Sequence, residues 1–331
     1  MAIRTLVFFL LFITQQAEAQ LANQAAPDDA TLANLYSPLL RHPQNEPNLP
    51  ANVDWFLGRT TLSFHNNSCP QDNKQFGAAS SQLLTTATLV SACGTHTFTA
   101  SGTRSSSRSK TFVLADVSAS DRRGLTRPSQ WSTYYHLYKN DSGGKTIQYW
   151  SFYSYNTGKT LGPIELGFHG GDWEMVAVVL NADLVPISVA TTGHSTIDSQ
   201  PWSSIEKHGT HPVFYTEMGA HEAHPTPQWG ISYFDHPTWK GALASYQGSV
   251  PEVVGDLVDL GTKLAPKAPF LKYSGLWGSL GATPFSSGYW GPAFNETGMG
   301  SDGLLAAWCS GIADNTQTIN GKRECFPDDP Q

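Results

Sequence analysis

The sequence predicts a mainly β fold, a single-domain antiparallel β-sandwich with a few short helices. Three observations predict it. Charged residues are sparse, at 14% of 331 residues, while Gly (30), Pro (21) and aromatics (11%) are abundant, a balance that suits half-buried pleated surfaces joined by turns. Short runs of Val, Ile, Thr and aromatics recur between Asn, Gly, Ser and Pro clusters. No internal repeat and no linker divides the chain, and its length supports one substantial core.

The elements follow in order. Residues 1–19 read as a secretory signal: Arg4 opens it, Leu6 to Ile13 form a short apolar core, and Ala17-Glu18-Ala19 is a cleavage site. That run is too short to span a bilayer, and no later stretch is apolar enough to be a transmembrane segment. The mature chain is therefore expected to be secreted, with a vacuolar lumen as the alternative. Residues 20–50, rich in Ala, Asn, Gln and Pro, read as an extended N-terminal arm, and 51–331 as the sandwich domain. Val53 to Leu57 is the first packed segment. Thr60 to His65, Leu83 to Val90 and Thr111 to Val117 read as strands, with an exposed loop at Ser105 to Lys110.

The clearest element is a hairpin of Tyr134 to Lys139 and Thr146 to Tyr155, turned at Asp141-Ser142-Gly143-Gly144. Tyr149 to Tyr153 carries aromatics on both faces, as an inner strand would, and Tyr149 is also a candidate to stack on a sugar. Val185 to Thr192 and His211 to Glu217 are two further strands. Ser249-Val250-Pro251-Glu252 reads as a capping box, with Val253, Val254, Leu257, Leu260 and Leu264 at helical spacing behind it. Beyond Lys272 the chain is rich in Gly, Trp and Ser. Of three connectivities for four cysteines, Cys69–Cys93 with Cys309–Cys325 closes the shortest loops. Asn66, Asn140 and Asn295 head glycosylation sequons. A net charge of −7 with no extended basic run argues against a nucleic-acid partner.

The chemistry concentrates at Phe168-His169-Gly170-Gly171-Asp172-Trp173-Glu174, which runs into the apolar Met175 to Leu180. Alternation along a strand points Asp172 and Glu174 one way and Trp173 the other. The glycine pair lets the backbone fold back so that His169 can join the carboxylates. An imidazole with two carboxylates suits a divalent cation, Ca²⁺, Mg²⁺ or Mn²⁺, with Zn²⁺ less favoured, or acid–base chemistry. A second cluster runs from His208 to His224, with four histidines and two glutamates. His211, Tyr215 and Glu217 share one strand face, while His221 and His224 fall on the following loop. Asp235-His236-Pro237 and His194 add weaker candidates. There is no nucleophile elbow, no H-E-x-x-H helix, no P-loop and no dinucleotide fingerprint.

Five segments in order resemble the vacuolar protein sorting-associated protein 62 family, which is rich in fungal members. They are Tyr36-Ser37-Pro38-Leu39-Leu40-Arg41 with Leu49-Pro50 and Val53 to Leu57; Gln148 to Tyr153 with Tyr155-Asn156; His169 to Glu174; His211 to Tyr215 with Gly219-Ala220-His221; and Gly275-Leu276-Trp277-Gly278 with Gly291-Pro292. The resemblance implies no particular activity. The stretch Phe168 to Glu174 is also distantly similar to the heptad Gly-His-Arg-His-Asp-Trp-Glu of the necrosis- and ethylene-inducing peptide-like proteins, secreted β-sandwich cytolysins. That similarity implies a divalent cation on His169, Asp172 and Glu174, with Glu165 as a candidate upstream ligand. Gly170 and Gly171 stand where the heptad has Arg and its second His.

Two functions compete. In the first, the cation bridges to a glycan or lipid headgroup, with Glu217, His211 and Tyr149 as candidate ligand contacts. In the second, the cation activates a substrate for hydrolysis with His221, or His194, as general base. A cytolysin-like effector role and a purely architectural role are the remaining alternatives.

Overall fold

The computed structural model describes residues 26–102, 108–140, 143–161, 164–192, 197–226, 252–253, 255–261, 265–281, 286–293, 317–319 and 322–324. For 159–161, 164–166, 192, 197–198, 252–253, 317–319 and 322–324 the structure describes the backbone course alone. The signal segment, Cys309, Cys325, Asn295, His194 and His236 lie outside the described residues, as does the Glu165 side chain.

The fold is mainly β, and its centre is a seven-stranded sheet. Its order runs Ile197–Pro201, Pro186–Thr192, His169–Leu180, Lys145–Asn156, Ser132–Lys139, Asp256–Asp259, with Pro50–Ala51 added alongside Lys145–Asn156. The aromatic hairpin forms as expected, in register from Thr133↔Ser151 to Lys139↔Lys145. Its alternation fills two cores. Trp150, Phe152, Trp173, Met175 and Ala177 face one side, whereas Ile147, Tyr149, Val176, Val178 and Leu180 face the other. A strand covered on both faces is buried at nearly every position, as Lys145–Asn156 and His169–Leu180 are.

Each face receives its own layer. On one side sits the three-stranded sheet Lys74–Ala78, Thr61–Asn66, Lys110–Leu114, inserting Leu62, Phe64, Phe112 and Leu114. On the other, a five-stranded sheet built around His211–Thr216 and Leu39–Arg41 contributes Phe214 and Leu40. Among the described strands the pairing is mainly antiparallel, with Leu39–Arg41 parallel to His211–Thr216 and Asp256–Asp259 parallel to Ser132–Lys139.

Four expectations need correction. The N-terminal arm is not simply extended. Asp28 accepts from the Thr31 N–H at 2.8 Å and caps a helix over Asp29–Leu35 that buries Leu32 and Ala33. Leu83 to Val90 is a strand only from Thr88. Ser80 caps a helix over Ser81–Thr86 by accepting from the Leu83 N–H, a cap that outweighs the apolar run. The helix expected after the capping box is instead two strands, Glu252–Val253 and Asp256–Asp259. The parallel pairing with Ser132–Lys139 wins there, and it sends Leu257 and Val258 to opposite cores. Gly255 permits that path, since a Cβ there would lie 2.3 Å from the Trp131 carbonyl oxygen.

The fourth concerns glycosylation. Asn66 is 2% exposed; its amide nitrogen donates to Asp72 Oδ2 at 2.9 Å, and its oxygen accepts from the Ser68 and Cys69 N–H groups. A glycan on that nitrogen would have to break this network. The Asn140 amide donates to the Leu180 carbonyl at 2.9 Å and accepts from Gly144 N, so it serves the hairpin turn.

Cys69–Cys93 is formed, with a Cα–Cα distance of 6.1 Å and a sequence separation of 24, a loop whose closure stabilises by about 3.5 kcal/mol. Asp72 organises that loop. Burial alone would raise its pKa. Donations from Ala92 N (2.7 Å), Ser91 Oγ (2.8 Å) and Asn66 Nδ2 (2.9 Å), with the Lys110 charge, outweigh burial and hold its carboxyl below the usual range. A depressed folded pKa stabilises above the unfolded value of about 3.9, and the effect is lost as pH falls through the folded value. Thermal melts should therefore show Asp72→Asn below wild type at pH 7 and less sensitive to acidification below pH about 4. Parallel acid slopes for the two proteins would contradict this account.

Candidate functional site

The strand His169–Leu180 begins at His169 itself, so the glycine pair lies within the strand rather than ahead of it. Gly171 has φ +59°, and a Cβ there would sit 1.9 Å from the Trp277 carbonyl oxygen. At Gly170 a Cβ would lie 2.5 Å from Asp116 Oδ1. The two glycines thus admit the Trp277 backbone and Asp116 directly against the strand. That close approach, more than chain reversal, is their reason.

Asp172 is buried, and its two oxygens face different neighbours. Oδ2 accepts from His221 Nδ1 at 2.8 Å and from Asn156 Nδ2 at 3.1 Å. Oδ1 lies 3.8 Å from His169 Nε2. His221 is fully buried and its other nitrogen, Nε2, stands 3.4 Å from Glu46 Oε1. Its ring stacks on Tyr153 with centroids 3.8 Å apart and planes within 6°. Burial drags the imidazole's pKa down, but the hydrogen bonds and charges of Asp172 and Glu46 outweigh it, and the pKa is raised to about 9. Glu46 also accepts from Asn48 N and Gly219 N, which fixes the turn that carries His221. That turn holds His221 at φ +64°, a left-handed conformation uncommon outside glycine.

His169 is buried in a different setting. Its Nδ1 lies 3.1 Å from the Gly170 carbonyl oxygen, which can only accept, so Nδ1 carries the proton. Burial, acting against Asp172, the Gly170 carbonyl and Asp116, lowers its pKa. A neutral imidazole protonated at Nδ1 has its lone pair on Nε2. Its Nε2 is the nitrogen turned toward the Asp172 carboxylate oxygen, at 3.8 Å. Tyr289 packs on His169 edge to face at 4.7 Å. Burial and then the charges of Asp172 and Glu174, opposed by Arg108, raise the Tyr289 phenol, so both carboxylates act on its surroundings. Arg108 lies 4.9 Å from the ring centroids of both Tyr289 and Trp290, and these two rings and Glu174 are part-exposed.

The other sequence candidates scatter. Tyr149 is a core residue whose hydroxyl donates to the Ala33 carbonyl at 2.8 Å, so it is no sugar platform. His211 begins its strand and its Nδ1 bonds Ser37. Glu217 lies just past the far end of the same strand, some 20 Å away. His208 is exposed beside Glu206. Glu217, Glu222 and His224 are brought together: one ligand atom from each lies within 4.8 Å of the others. The dense His/Glu run was a signal of that. Glu46, Asn156 and Asp116 were not foreseen. Glu46 sits between Asn45 and Pro47 in a polar arm and carries no motif.

No family model matches the chain, and no curated protein matches it. The solved structures found include necrosis- and ethylene-inducing peptide-like toxins. "Toxin fold as basis for microbial attack and plant defense" is 16% identical over 76% of this chain and 93% of that one, with a TM-score of 0.34. "NLPPya in complex with glucosamine" gives the same values. "NLPPya in complex with mannosamine" is also 16% identical over the same shares, with a TM-score of 0.32. A likeness this shallow carries no conclusion for this chain. Among the described residues no helix is long and apolar enough to cross a membrane.

The geometry generates a stability test. Gly171→Ala places a methyl group onto the Trp277 carbonyl at positive φ, and the cost should exceed about 3 kcal/mol by denaturant melts. Gly143→Ala, also at positive φ but in open space, should cost about 1 kcal/mol. Equal losses at the two positions would show that the Trp277 contact is not what demands glycine.

Proposed function

We propose that this chain is a secreted, cation-dependent binding protein. His169, Asp172 and Glu174 hold a hard divalent cation, Ca²⁺, Mg²⁺ or Mn²⁺, whose remaining coordination positions take the oxygens of a glycan or lipid headgroup. The observation that carries this reading is the approach of His169 Nε2 to within 3.8 Å of Asp172 Oδ1, two buried ligand atoms between which a cation about 2.2 Å from each fits. The part-exposed Tyr289 and Trp290 rings with Arg108 beside the site supply a surface that suits sugar stacking and hydroxyl bonding. The heptad similarity agrees with a site at this strand.

The hydrolase alternative is less well supported. A general base must reach the substrate, whereas His221 is fully buried with its nitrogens directed at Asp172 and Glu46. It is better read as a positioning residue for Asp172.

Calorimetry with each ion tests the proposal. Wild type should bind Mg²⁺, Mn²⁺ or Ca²⁺ saturably, Glu174→Gln should weaken this at least tenfold, and His169→Gln should do likewise. With the ion present, glucosamine or phosphatidylserine vesicles should bind wild type and lose binding with chelator. If Glu174→Gln and His169→Gln retain wild-type ion affinity while folded by circular dichroism, the site is not here.

A further inference from the structure

We infer that Glu217, Glu222 and His224 form a second, buried site for one divalent cation of the zinc–manganese class, which braces the turn that delivers His221 to Asp172. This goes beyond the proposed rim site and does not depend on it.

The three residues stand at the neck of a small hairpin. Glu217 directly follows the strand His211–Thr216, and His224 belongs to the return strand Ala223–His224, paired as Tyr215↔His224 and Thr216↔Ala223. The Glu217 N–H donates to the Glu222 carbonyl at 2.9 Å, and the His221 N–H donates to the Glu217 carbonyl at 3.1 Å. Two β-strand ends and a backbone-closed turn therefore fix where the three side chains start. Their donor atoms converge to within 4.8 Å of one another, and Glu217 Oε1 lies 3.4 Å from His224 Nε2. Only 5%, 8% and 2% of Glu217, Glu222 and His224 is exposed.

Donor chemistry points the same way. Ligand atoms about 2.0–2.2 Å from a shared ion stand roughly 3–3.6 Å apart, which the Glu217–His224 separation already meets. The donor types match those of the rim site; what favours Zn²⁺ or Mn²⁺ here is that all three donors are buried, a closed setting of low coordination number that suits Ca²⁺ poorly. With three protein donors, a water or a carbonyl completes the shell.

The location gives the ion a consequence. Of the turn residues between Glu217 and Glu222, His221 is the one held at φ +64° with its side chain on Asp172. An ion joining both ends of the turn holds that conformation against the extended one.

The test uses the full chain stripped with chelator. Zn²⁺, Mn²⁺ and Co²⁺ are titrated by calorimetry into wild type, His169→Gln/Glu174→Gln, Glu222→Gln and His224→Gln. The His169→Gln/Glu174→Gln variant should still bind one equivalent of Zn²⁺, and bound Co²⁺ should give visible d–d absorption. Glu222→Gln and His224→Gln should weaken Zn²⁺ at least tenfold and lose the Co²⁺ bands, and Zn²⁺ should raise the Tm of wild type but not of these two. Loss of all binding in His169→Gln/Glu174→Gln would overturn the second site while leaving the first intact. So would unchanged Zn²⁺ affinity in both Glu222→Gln and His224→Gln. The Co²⁺ spectrum of His169→Gln/Glu174→Gln decides the matter even if the hairpin variants fail to fold, because that protein keeps the hairpin unaltered; absence of the bands there overturns the inference.

Discussion

The contact on which the rest of the site depends is the buried pair Asp172–His221. It joins the central strand His169–Leu180 to the turn after His211–Thr216, and through Glu46 it reaches the N-terminal arm. A buried ion pair is favourable only when its remaining lone pairs and protons are met. Asn156 meets Asp172 Oδ2, the N–H groups of Asn48 and Gly219 meet Glu46, and the Tyr153 face lies flat on the His221 ring. Three segments distant in sequence are thereby held at one point. The division of labour at Asp172 follows: with Oδ2 committed to His221 and Asn156, Oδ1 is the atom turned toward His169.

The close packing of Trp277 on Gly171 sets the other boundary. A side chain at either glycine would collide with the Trp277 carbonyl or with Asp116. The heptad similarity has Arg and His at these positions; Asp116 leaves no room for the first and the Trp277 carbonyl none for the second. Trp277 itself is buried among Phe56, Phe152, Trp173, Phe270 and Tyr273. Core packing on one face of the sheet and the composition of the site motif are thus one constraint. The same approach brings Asp116, whose carboxylate accepts from Ser279 N at 3.0 Å, within electrostatic reach of His169.

Much of this was legible where the signal was local and repeated. The hairpin Ser132–Lys139 with Lys145–Asn156 announced itself through aromatics on both faces, and the double burial of those faces explains why. Trp173 and Asp172 do point oppositely, as strand alternation requires. What failed was governed by partners remote in sequence. Val253, Val254, Leu257 and Leu260 carry a helical spacing, yet Asp256–Asp259 pairs with a strand more than a hundred residues earlier, and pairing outweighed periodicity. Asn66 has a perfect sequon, but Asp72 and the Cys69–Cys93 loop consume its amide. Glu46 had no signal at all, because its role exists only once the turn at Gly219 is folded beneath it.

The two carboxylate–imidazole groupings differ in what surrounds them, and that difference separates their chemistry. Beside His169 the Tyr289 ring is part-exposed, so an ion there would keep positions open to solvent and to ligand oxygens. Around His224 all three donors are buried at the neck of a hairpin, a setting in which coordination closes on the protein itself. His221 lies between them, its backbone bound to Glu217 and its side chain to Asp172. A displacement of the hairpin neck therefore reaches Asp172 through His221, whose ring is already pressed against Tyr153, and through Asn156, whose amide donates to both the Ala220 carbonyl and Asp172 Oδ2. The short, rigid path makes the buried grouping a brace for the open one, and it explains why a conformation that a histidine adopts reluctantly is held at the residue joining them.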